Sequence, residues 1–408
     1  MTSARYALGR AAGATAAALS RLTKQGDGTT VGGRITLAID PDALKHAANN
    51  RDLVLVSGTN GKTTTRSFVV AALETLGPVV SNAGGANLPT GLTAALARDP
   101  HAPRGVLEVD EPFVPRVIDA VRPRAVTLLN LSRDQLDRYA EVQRLAGIWR
   151  TALARPDAPK AVANCDDPLV VWAAQAAPTT VWVAAGQRWH DDTSVCPECG
   201  GVLSRSGTDW WSDCGLRRPV PQWRTEDTTI VDAEGQRHDV QLGVPGVVNV
   251  GNAALAAATA ALWQVPAADA LAAMTAIRTV EGRYLSATYG GAPVRLLLAK
   301  NPAGWTEALT MVPPDRQQVV VAVNARAADG RDPSWLWDVP FEQLAGRHTV
   351  ATGERSRDVA VRLSYAGVDH ERIDDPTAAL AAAAARGSVE VLANYTAFQG
   401  YRKVVGNG

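Results

Sequence analysis

The sequence predicts an α/β protein in three parts: a large phosphate-loop domain on a parallel sheet, a small cysteine-bearing ribbon inserted into it, and a Rossmann-like α/β domain at the carboxyl-terminal end. Three observations carry this. Short apolar runs alternate with helical stretches from residue 53 to residue 163, the signature of a sheet covered by helices. A Gly-, Thr- and Lys-containing loop follows the first of those runs directly. The alternation then breaks over residues 190–225, where Cys, Gly, Trp, Arg and Asp accumulate without periodicity, and resumes afterwards.

A chain of 408 residues suggests two or three domains. At 46% hydrophobic and 20% charged residues it can bury a core. Its 41 basic residues balance 41 acidic ones, so no global field favours nucleic acid. No apolar run reaches the roughly 18 residues of a membrane helix, and residues 1–22 lack the apolar block of a secretory signal. Four cysteines are too few for a disulfide framework. The expectation is a soluble cytoplasmic protein.

Taken in order, residues 6–21 are Ala-rich and predict a helix, 24–33 a loop, 34–39 a short strand, and Pro41 opens a helix to residue 48. Strands follow at 53–56, 79–81, 105–109, 125–129 and 161–163, with helices at 67–76, 92–98, 114–120 and 139–154. After the insertion come a strand at 239–242 and a helix at 250–263. The last part has strands at 294–298, 318–322, 348–351 and 389–392, and a helix at 377–386 with Asp375 as N-cap and Pro376 at its first position. The expected domains are 1–48, a helix and strand leading in; 49–290, with the ribbon; and 291–408.

The strongest motif is Ser57-Gly58-Thr59-Asn60-Gly61-Lys62-Thr63-Thr64-Thr65, after the strand at 53–56. Glycines let the backbone approach a phosphate, and the following helix start offers N–H groups and a favourable dipole. Lys62 reaches the terminal phosphates in such a loop, and Thr63 holds Mg²⁺ through its hydroxyl. The general phosphate-loop pattern has a glycine where Val56 stands, so this is a compact variant. Glu108 ends a predicted strand at the sheet edge where ligands bind, which suits it to Mg²⁺. Asp110 and Glu111 read better as a solvated acidic turn.

The compact loop resembles that of the Mur ligases and folylpolyglutamate synthases, which form amide bonds through an acyl phosphate. Asn130-Leu131-Ser132-Arg133-Asp134-Gln135-Leu136-Asp137-Arg138-Tyr139 is similar to their middle motif, and Asn164-Cys165-Asp166-Asp167-Pro168 to their Asp-Asp-Pro turn. Pro245-Gly246 with Asn249 and Asn252 resembles their adenine-side helix start, and Gly282-Arg283 the arginine before their last domain. Gln135 and Tyr139 stand where amino-acid-adding members carry histidines, and no lysine between Lys160 and Lys300 could serve as their carbamylated bridge. The branch that fits is the MurT family, the Mur-ligase-like subunits of lipid II isoglutaminyl synthase. Its carboxyl-terminal signatures are matched by Lys300-Asn301-Pro302-Ala303-Gly304, by the stretch from Ala328 to Asp338 with Trp335 and Trp337, and by Asn394-Tyr395-Thr396-Ala397.

The resemblance implies a definite chemistry. ATP converts the α-carboxyl of D-glutamate in the lipid II stem peptide to an acyl phosphate, and ammonia from a separate GatD-type glutaminase gives D-isoglutamine. Lys62, with Mg²⁺ on Thr63 and Glu108, neutralises the transferring phosphoryl group; Gly58, Thr59, Asn60, Gly61 and Thr64 cradle the phosphates; Asn252 fixes the adenine side and Arg283 adds to the clamp. An aspartate of the last domain completes the partner's Cys-His pair. Asp329, Asp332 and Asp338 are the candidates, and Asp332 is favoured. None of the six histidines pairs with a nucleophile by any motif, so a partner is also a chemical expectation. A lipid substrate implies at most peripheral contact with the inner membrane face. The rival readings are a ligase that adds an amino acid to a peptide or folate, and a non-catalytic scaffold.

Cys196-Pro197-Glu198-Cys199 is a knuckle with zinc-ligand spacing, and Cys214 supplies half of a second one. The fourth cysteine of a full ribbon would stand at Trp211; His190, Asp213 and Cys165 are the alternatives for that corner. Structural zinc, a metal-free remnant and a disulfide are all open on this spacing. Arg205, Arg217, Arg218 and Arg224 read as a solvated face or as a site for a pyrophosphate-linked substrate.

Overall fold

The computed structural model describes residues 4–23, 29–82, 85–133, 142–278 and 283–406, which form two units. Three helices lead in: α1 (Ala4–Leu22), α2 (Thr29–Ile39) and α3 (Ala43–Ala48). The first unit then alternates β1 (Asp52–Ser57), α4 (Lys62–Glu74), β2 (Val79–Ser81), α5 (Pro89–Arg98), β3 (Arg104–Glu108), α6 (Val114–Val121) and β4 (Ala125–Leu128). It continues through α7 (Val142–Leu153), β5 (Lys160–Asn164), α8 (Pro168–Ala174) and β6 (Thr180–Ala184). A small hairpin of β7 (Ser204–Ser206) and β8 (Asp209–Trp211) precedes β9 (Trp223–Glu226), β10 (Thr229–Val231) and β11 (Arg237–Asp239). Helices α9 (Val247–Ala261) and α10 (Ala267–Thr275) complete it.

Nine strands make one sheet in the order β11-β10-β9-β6-β5-β4-β1-β3-β2, parallel from β2 across to β9 and antiparallel beyond. Strand β1 is central, paired to β3 and β4, and all but its first residue are buried. Such double burial demands the continuous apolar run Leu53-Val54-Leu55-Val56. Its neighbours bring Glu108 and Asn130 to the same edge as the loop after Ser57.

The second unit has a six-stranded sheet in the order β12 (Tyr284–Tyr289), β13 (Ala292–Leu298), β17 (Val389–Ala393), β14 (Gln318–Ala322), β15 (His348–Thr352) and β16 (His370–Arg372). Only the β12–β13 pair is antiparallel. One face is covered by α11 (Pro302–Thr310) and α12 (Ser356–Tyr365), with Trp305, Phe341 and Leu363 in the core; the other by α13 (Pro376–Ala384) and α14 (Tyr395–Gly406), with Leu380, Phe398 and Tyr401. The expected N-cap is present: the Asp375 carboxylate accepts the Ala378 N–H.

Two expectations fail at the amino-terminal end. Residues 34–39 are not a strand, and residues 29–33 are not a loop; both belong to α2. The β-branched alternation of Arg34-Ile35-Thr36-Leu37 is outweighed by helix packing. A Cβ on Gly33 would fall inside the Thr90 carbonyl of α5, and one on Gly13 would strike Thr36. The glycines are therefore contact surfaces between α1, α2 and α5, and the Thr36 hydroxyl donates to the Gly32 carbonyl at 2.9 Å. Helix α4 also starts earlier than expected, at Lys62 inside the motif. Strands β6, β9 and β10 were not anticipated, and β9 at Trp223 belongs to the large sheet, not to the ribbon.

This packing sets an expected outcome. Gly33→Ala should destabilise the protein by roughly 1–3 kcal/mol in urea unfolding. Gly400→Ala in α14, where an added Cβ meets nothing within 4 Å, should be neutral or stabilise by up to about 1 kcal/mol.

Candidate active site

The loop between β1 and α4 is shaped by two glycines. Gly58 has φ +149°, and a Cβ there would lie 2.8 Å from that of Leu129. Gly61 has φ +85° and caps α4, and a Cβ there would come within 2.7 Å of the Asn252 carboxamide oxygen. Asn252, expected near the nucleotide, thus stands against the loop itself, donating to Asn249 at 3.0 Å. Asn130 clasps the loop from the end of β4. Its carbonyl accepts the Thr59 N–H at 2.9 Å; its side-chain oxygen accepts the Asn60 N–H at 2.9 Å; and its amide donates to the Asn60 carbonyl at 3.0 Å. Asn130 was visible only as a motif letter, because a clasp between residues 70 apart leaves no local signal. Thr59, Thr63, Thr64 and Thr65 are buried, so the loop sits within the sheet edge.

Lys62 is 5% exposed, and its ammonium donates to the Glu111 carboxylate at 2.8 Å, with Asp110 at 4.0 Å. Burial alone would push the Lys62 pKa down; Glu111 and Asp110 outweigh it and hold the ammonium above its ordinary value. Burial would likewise raise Glu111, but Lys62 holds that carboxyl below the usual carboxylate range. The reading of Glu111 as solvated is therefore wrong: the residue is 6% exposed, and the Trp149 indole N–H donates to its carbonyl at 2.9 Å. The turn at Glu111–Phe113 buries it.

Glu108 is where the sequence placed it, buried at the end of β3. Arg66 approaches its carboxylate at 3.6 Å and donates to the Asn82 carbonyl. Asn82 in turn exchanges two hydrogen bonds of 2.9 Å with the Glu108 backbone. Neither Arg66 nor Asn82 was singled out from the sequence.

The Asp-Asp-Pro turn is built on two buried carboxylates. Asp167 caps α8, accepting from Leu169 and Val170, and also accepts the Leu131 N–H at 2.8 Å; burial nonetheless raises its pKa to about 6. Asp166 accepts from the Gly186 N–H at 2.8 Å and from Arg218 at 2.7 Å. Arg218 is thus neither solvated nor free for substrate, and Arg205 is held by Thr193 at 2.7 Å. The Trp210 indole, buried in the ribbon, donates to the Cys165 carbonyl at 3.1 Å. Cys165 belongs to that apolar contact and not to the cysteine cluster.

Cys196, Cys199 and Cys214 lie with their sulfurs within 4.8 Å of one another. Ser212, which the sequence reading did not consider, also lies against the cluster. Its hydroxyl is 3.4 Å from the Cys199 sulfur and 3.6 Å from the Cys214 sulfur, and the Cys196 and Cys214 sulfurs are 3.7 Å apart. A tetrahedral zinc with bonds near 2.3 Å to sulfur and 2.1 Å to oxygen separates its ligands by about 3.5–3.8 Å. Hydrogen bonding with Ser212 lowers the Cys199 thiol to about 7. Among the described residues no His, Asp or Glu joins the cluster.

The three aspartates of the second unit separate clearly. Asp329 is 7% exposed and saturated, accepting the Thr396 N–H at 2.8 Å and hydroxyl at 2.5 Å and the Arg326 N–H at 3.2 Å. Asp338 pairs with Arg133 at 3.2 Å. Asp332 is exposed, accepts the Ser334 N–H at 2.9 Å, and borders a cavity of about 320 Å³ beside Trp337, Arg357 and Val361. Arg283 lies half-buried at the start of β12. Gln135, Tyr139 and Gly282 lie outside the described residues.

The Asn130 clasp yields a test. Asn130→Ala should cost about 1–2 kcal/mol in unfolding free energy and weaken nucleotide binding at least tenfold. Asn130→Asp should restore the Asn60 N–H contact but not binding, since it loses the donor and adds charge beside phosphate. Urea melts and nucleotide titrations would show both.

Two family models match: the Mur ligase middle domain over residues 56–260, and the MurT ligase C-terminal domain over residues 298–398. The chain is 30% identical over 385 residues to the lipid II isoglutaminyl synthase (glutamine-hydrolyzing) subunit MurT of Streptococcus pneumoniae, covering 87% of this chain and 86% of that one. It is 27% identical to the subunit of the same name from Staphylococcus aureus, with 84% of each covered. Among solved structures it resembles a pseudomurein peptide ligase type C from Methanothermus fervidus, with TM-score 0.70, 19% identity and 90% and 80% coverage. The folylpolyglutamate synthase of Mycobacterium tuberculosis, solved with ADP and AMPPCP, gives TM-score 0.63, 15% identity and 90% and 93% coverage. With a compact phosphate loop in a middle-domain sheet and the carboxyl-terminal signature on a second one, the chain belongs to the MurT family of Mur-type ligases.

Proposed function

We propose that this chain amidates the α-carboxyl of D-glutamate in the lipid II stem peptide, consuming ATP and using ammonia released by a GatD-type glutaminase with which it forms a heterodimer. The buried Lys62 in an intact Gly58–Thr65 loop carries the reading. The names of its relatives, which are subunits of a glutamine-hydrolysing synthase, supply the substrate and the partner class.

The residues present fit the chemistry. A carboxylate resists attack by ammonia; transfer of the γ-phosphoryl group of ATP to it creates an acyl phosphate, and ammonia displaces phosphate to leave the carboxamide. Gly58, Thr59, Asn60, Gly61 and Thr64 would line the phosphates, with Asn252 on the adenine side. Lys62 is held protonated before nucleotide arrives, so its charge is ready to stabilise the transferring group. Thr63 and Glu108 would hold Mg²⁺, which neutralises charge on the phosphates. Arg66 keeps the Glu108 carboxylate beside the loop.

Asp332 is the residue we assign to the partner's catalytic pair. Asp332 and Asp338 are both exposed, but Asp338 is paired with Arg133, and Asp329 already serves the fold. For the ribbon we propose structural zinc on the three soft thiolates of Cys196, Cys199 and Cys214, with the harder Ser212 hydroxyl at the fourth corner, since the separations fit a tetrahedron. The zinc anchors the ribbon; the amidation chemistry does not require it.

Incubation with lipid II, Mg²⁺–ATP and ammonium should convert one carboxyl to a carboxamide, read by product mass. Lys62→Ala should reduce the rate by roughly a thousandfold or more. Asp332→Asn should abolish turnover with glutamine plus glutaminase yet keep the ammonium reaction near wild type, and a loss of both would refute its assignment. No carboxamide from either nitrogen source would overturn the proposal. Elemental analysis should find about one zinc per chain. Ser212→Ala should lose zinc to a chelator faster than wild type, and Ser212→Cys more slowly.

A further inference from the structure

The phosphate loop lies at the carboxyl end of β1, and the opposite edge of the sheet is where the chain enters β1, β4 and β5. Two cavities lie at that edge. One, of about 620 Å³, is lined by Lys45, Arg51, Asp52 and Arg122 against an apolar wall that includes Val121. The other, of about 440 Å³, is lined by Lys160 and again by Arg122. Both are of a size that suits a small molecule.

Charge is unbalanced there. The two linings together hold six basic residues against three acids. The acids are already met. Asp52 lies 3.5 Å from Arg124 and accepts the Trp263 indole N–H at 3.3 Å, and Arg155 pairs with both Asp119 and Asp157. Arg51 donates to the Asp99 carbonyl at 2.8 Å. The side chains of Lys45, Arg122 and Lys160 are exposed and make no hydrogen bond or ion pair among the described residues.

Backbone conformation singles out the same place. Four described residues other than glycine have positive φ, and two of them, Asn50 at 59° and Arg122 at 44°, line the larger cavity. Asparagine tolerates that conformation, but arginine does so only at a cost. Arg122 ends α6 in a position that glycine normally fills. No contact of its own side chain offsets the strain, which marks the residue as functional.

We propose that the two cavities form one anion site, centred on Arg122, for a small compound carrying two phosphoryl groups. A guanidinium fork matches phosphate oxygens in charge and geometry. Arg122 lines both cavities, with Lys45 in one and Lys160 in the other, so each phosphoryl group meets an ammonium of its own. Orthophosphate or a lone carboxylate engages only part of that charge. The concave shape excludes a bilayer, and neither lining contains an aromatic side chain on which a nucleic-acid base could stack. Inorganic pyrophosphate and an organic diphosphate share the required chemistry. The site is independent of the amidation reading, because it makes no use of the Gly58–Thr65 loop.

Calorimetric titration of the full chain with pyrophosphate tests it, in a Lys62→Gln background that silences the phosphate loop. Binding should be tighter than about 1 mM at low salt. Arg122→Gly should weaken it at least tenfold while raising the melting temperature by about 1–3 °C, since glycine relieves the left-handed residue. Lys45→Gln and Lys160→Gln should each weaken it about threefold, and orthophosphate should bind at least tenfold more weakly than pyrophosphate. If Lys62→Gln does not fold, the wild-type chain serves: it should bind two pyrophosphates, and its Arg122→Gly variant one. With uridine diphosphate as a second probe, tighter binding than pyrophosphate assigns the site to an organic diphosphate, and weaker binding assigns it to the inorganic ion. Pyrophosphate affinity unchanged by Arg122→Gly, or binding confined to the phosphate loop, would overturn the proposal.

Discussion

The ammonium of Lys62 is buried in the first unit, and the acids around it keep it charged. A lysine buried this deeply would shed its proton in apolar company. Glu111 prevents that at 2.8 Å, and Asp110 adds to the field. Glu111 can do so only because its turn folds inward, where the Trp149 indole fixes the backbone carbonyl. Trp149 is itself wholly buried in α7. A side chain on a helix far along the sequence thereby helps to set the charge state of a residue in the phosphate loop.

The sheet supplies the complementary constraint. Strand β1 lies between β3 and β4, so the loop after Ser57, the carboxylate of Glu108 and the clasp of Asn130 arrive at one edge. Parallel pairing does this without any side-chain contact. The loop geometry then needs only two glycines and one reciprocal asparagine.

Doubly buried strands announce themselves as apolar runs, so β1, β3, β4, β5 and β14 were legible, as was the Asp375 cap of α13. The phosphate loop was legible because its spacing is local. What escaped notice was tertiary. The α2 helix is dictated by glycine contacts with α1 and α5, which outvote its β-branched residues. Glu111 looked exposed because the acidic pair Asp110-Glu111 gives no hint of the lysine 49 positions earlier. Ser212 was missed because the cysteine register pointed to Trp211, and only the fold reveals which side of the β8 turn faces the sulfurs. Among the three aspartates the sequence favoured Asp332 without separating them by environment; Asp329 differs from Asp332 in its hydrogen bonds to Thr396 and Arg326.

The ribbon's place in the chain has an evolutionary corollary. The polypeptide leaves the large sheet at Ala184 and rejoins it at Trp223, on the neighbouring strand, where Ala184 already faces Arg224. The two ends of the excursion are one strand spacing apart, about 5 Å. Such a segment can be acquired or discarded as a cassette without rerouting the sheet. Its removal would leave a specific wound all the same: the Cys165 carbonyl would lose the Trp210 indole, and the Asp166 carboxylate its guanidinium. A lineage that dropped the cassette would have to change the Asp-Asp-Pro turn along with it.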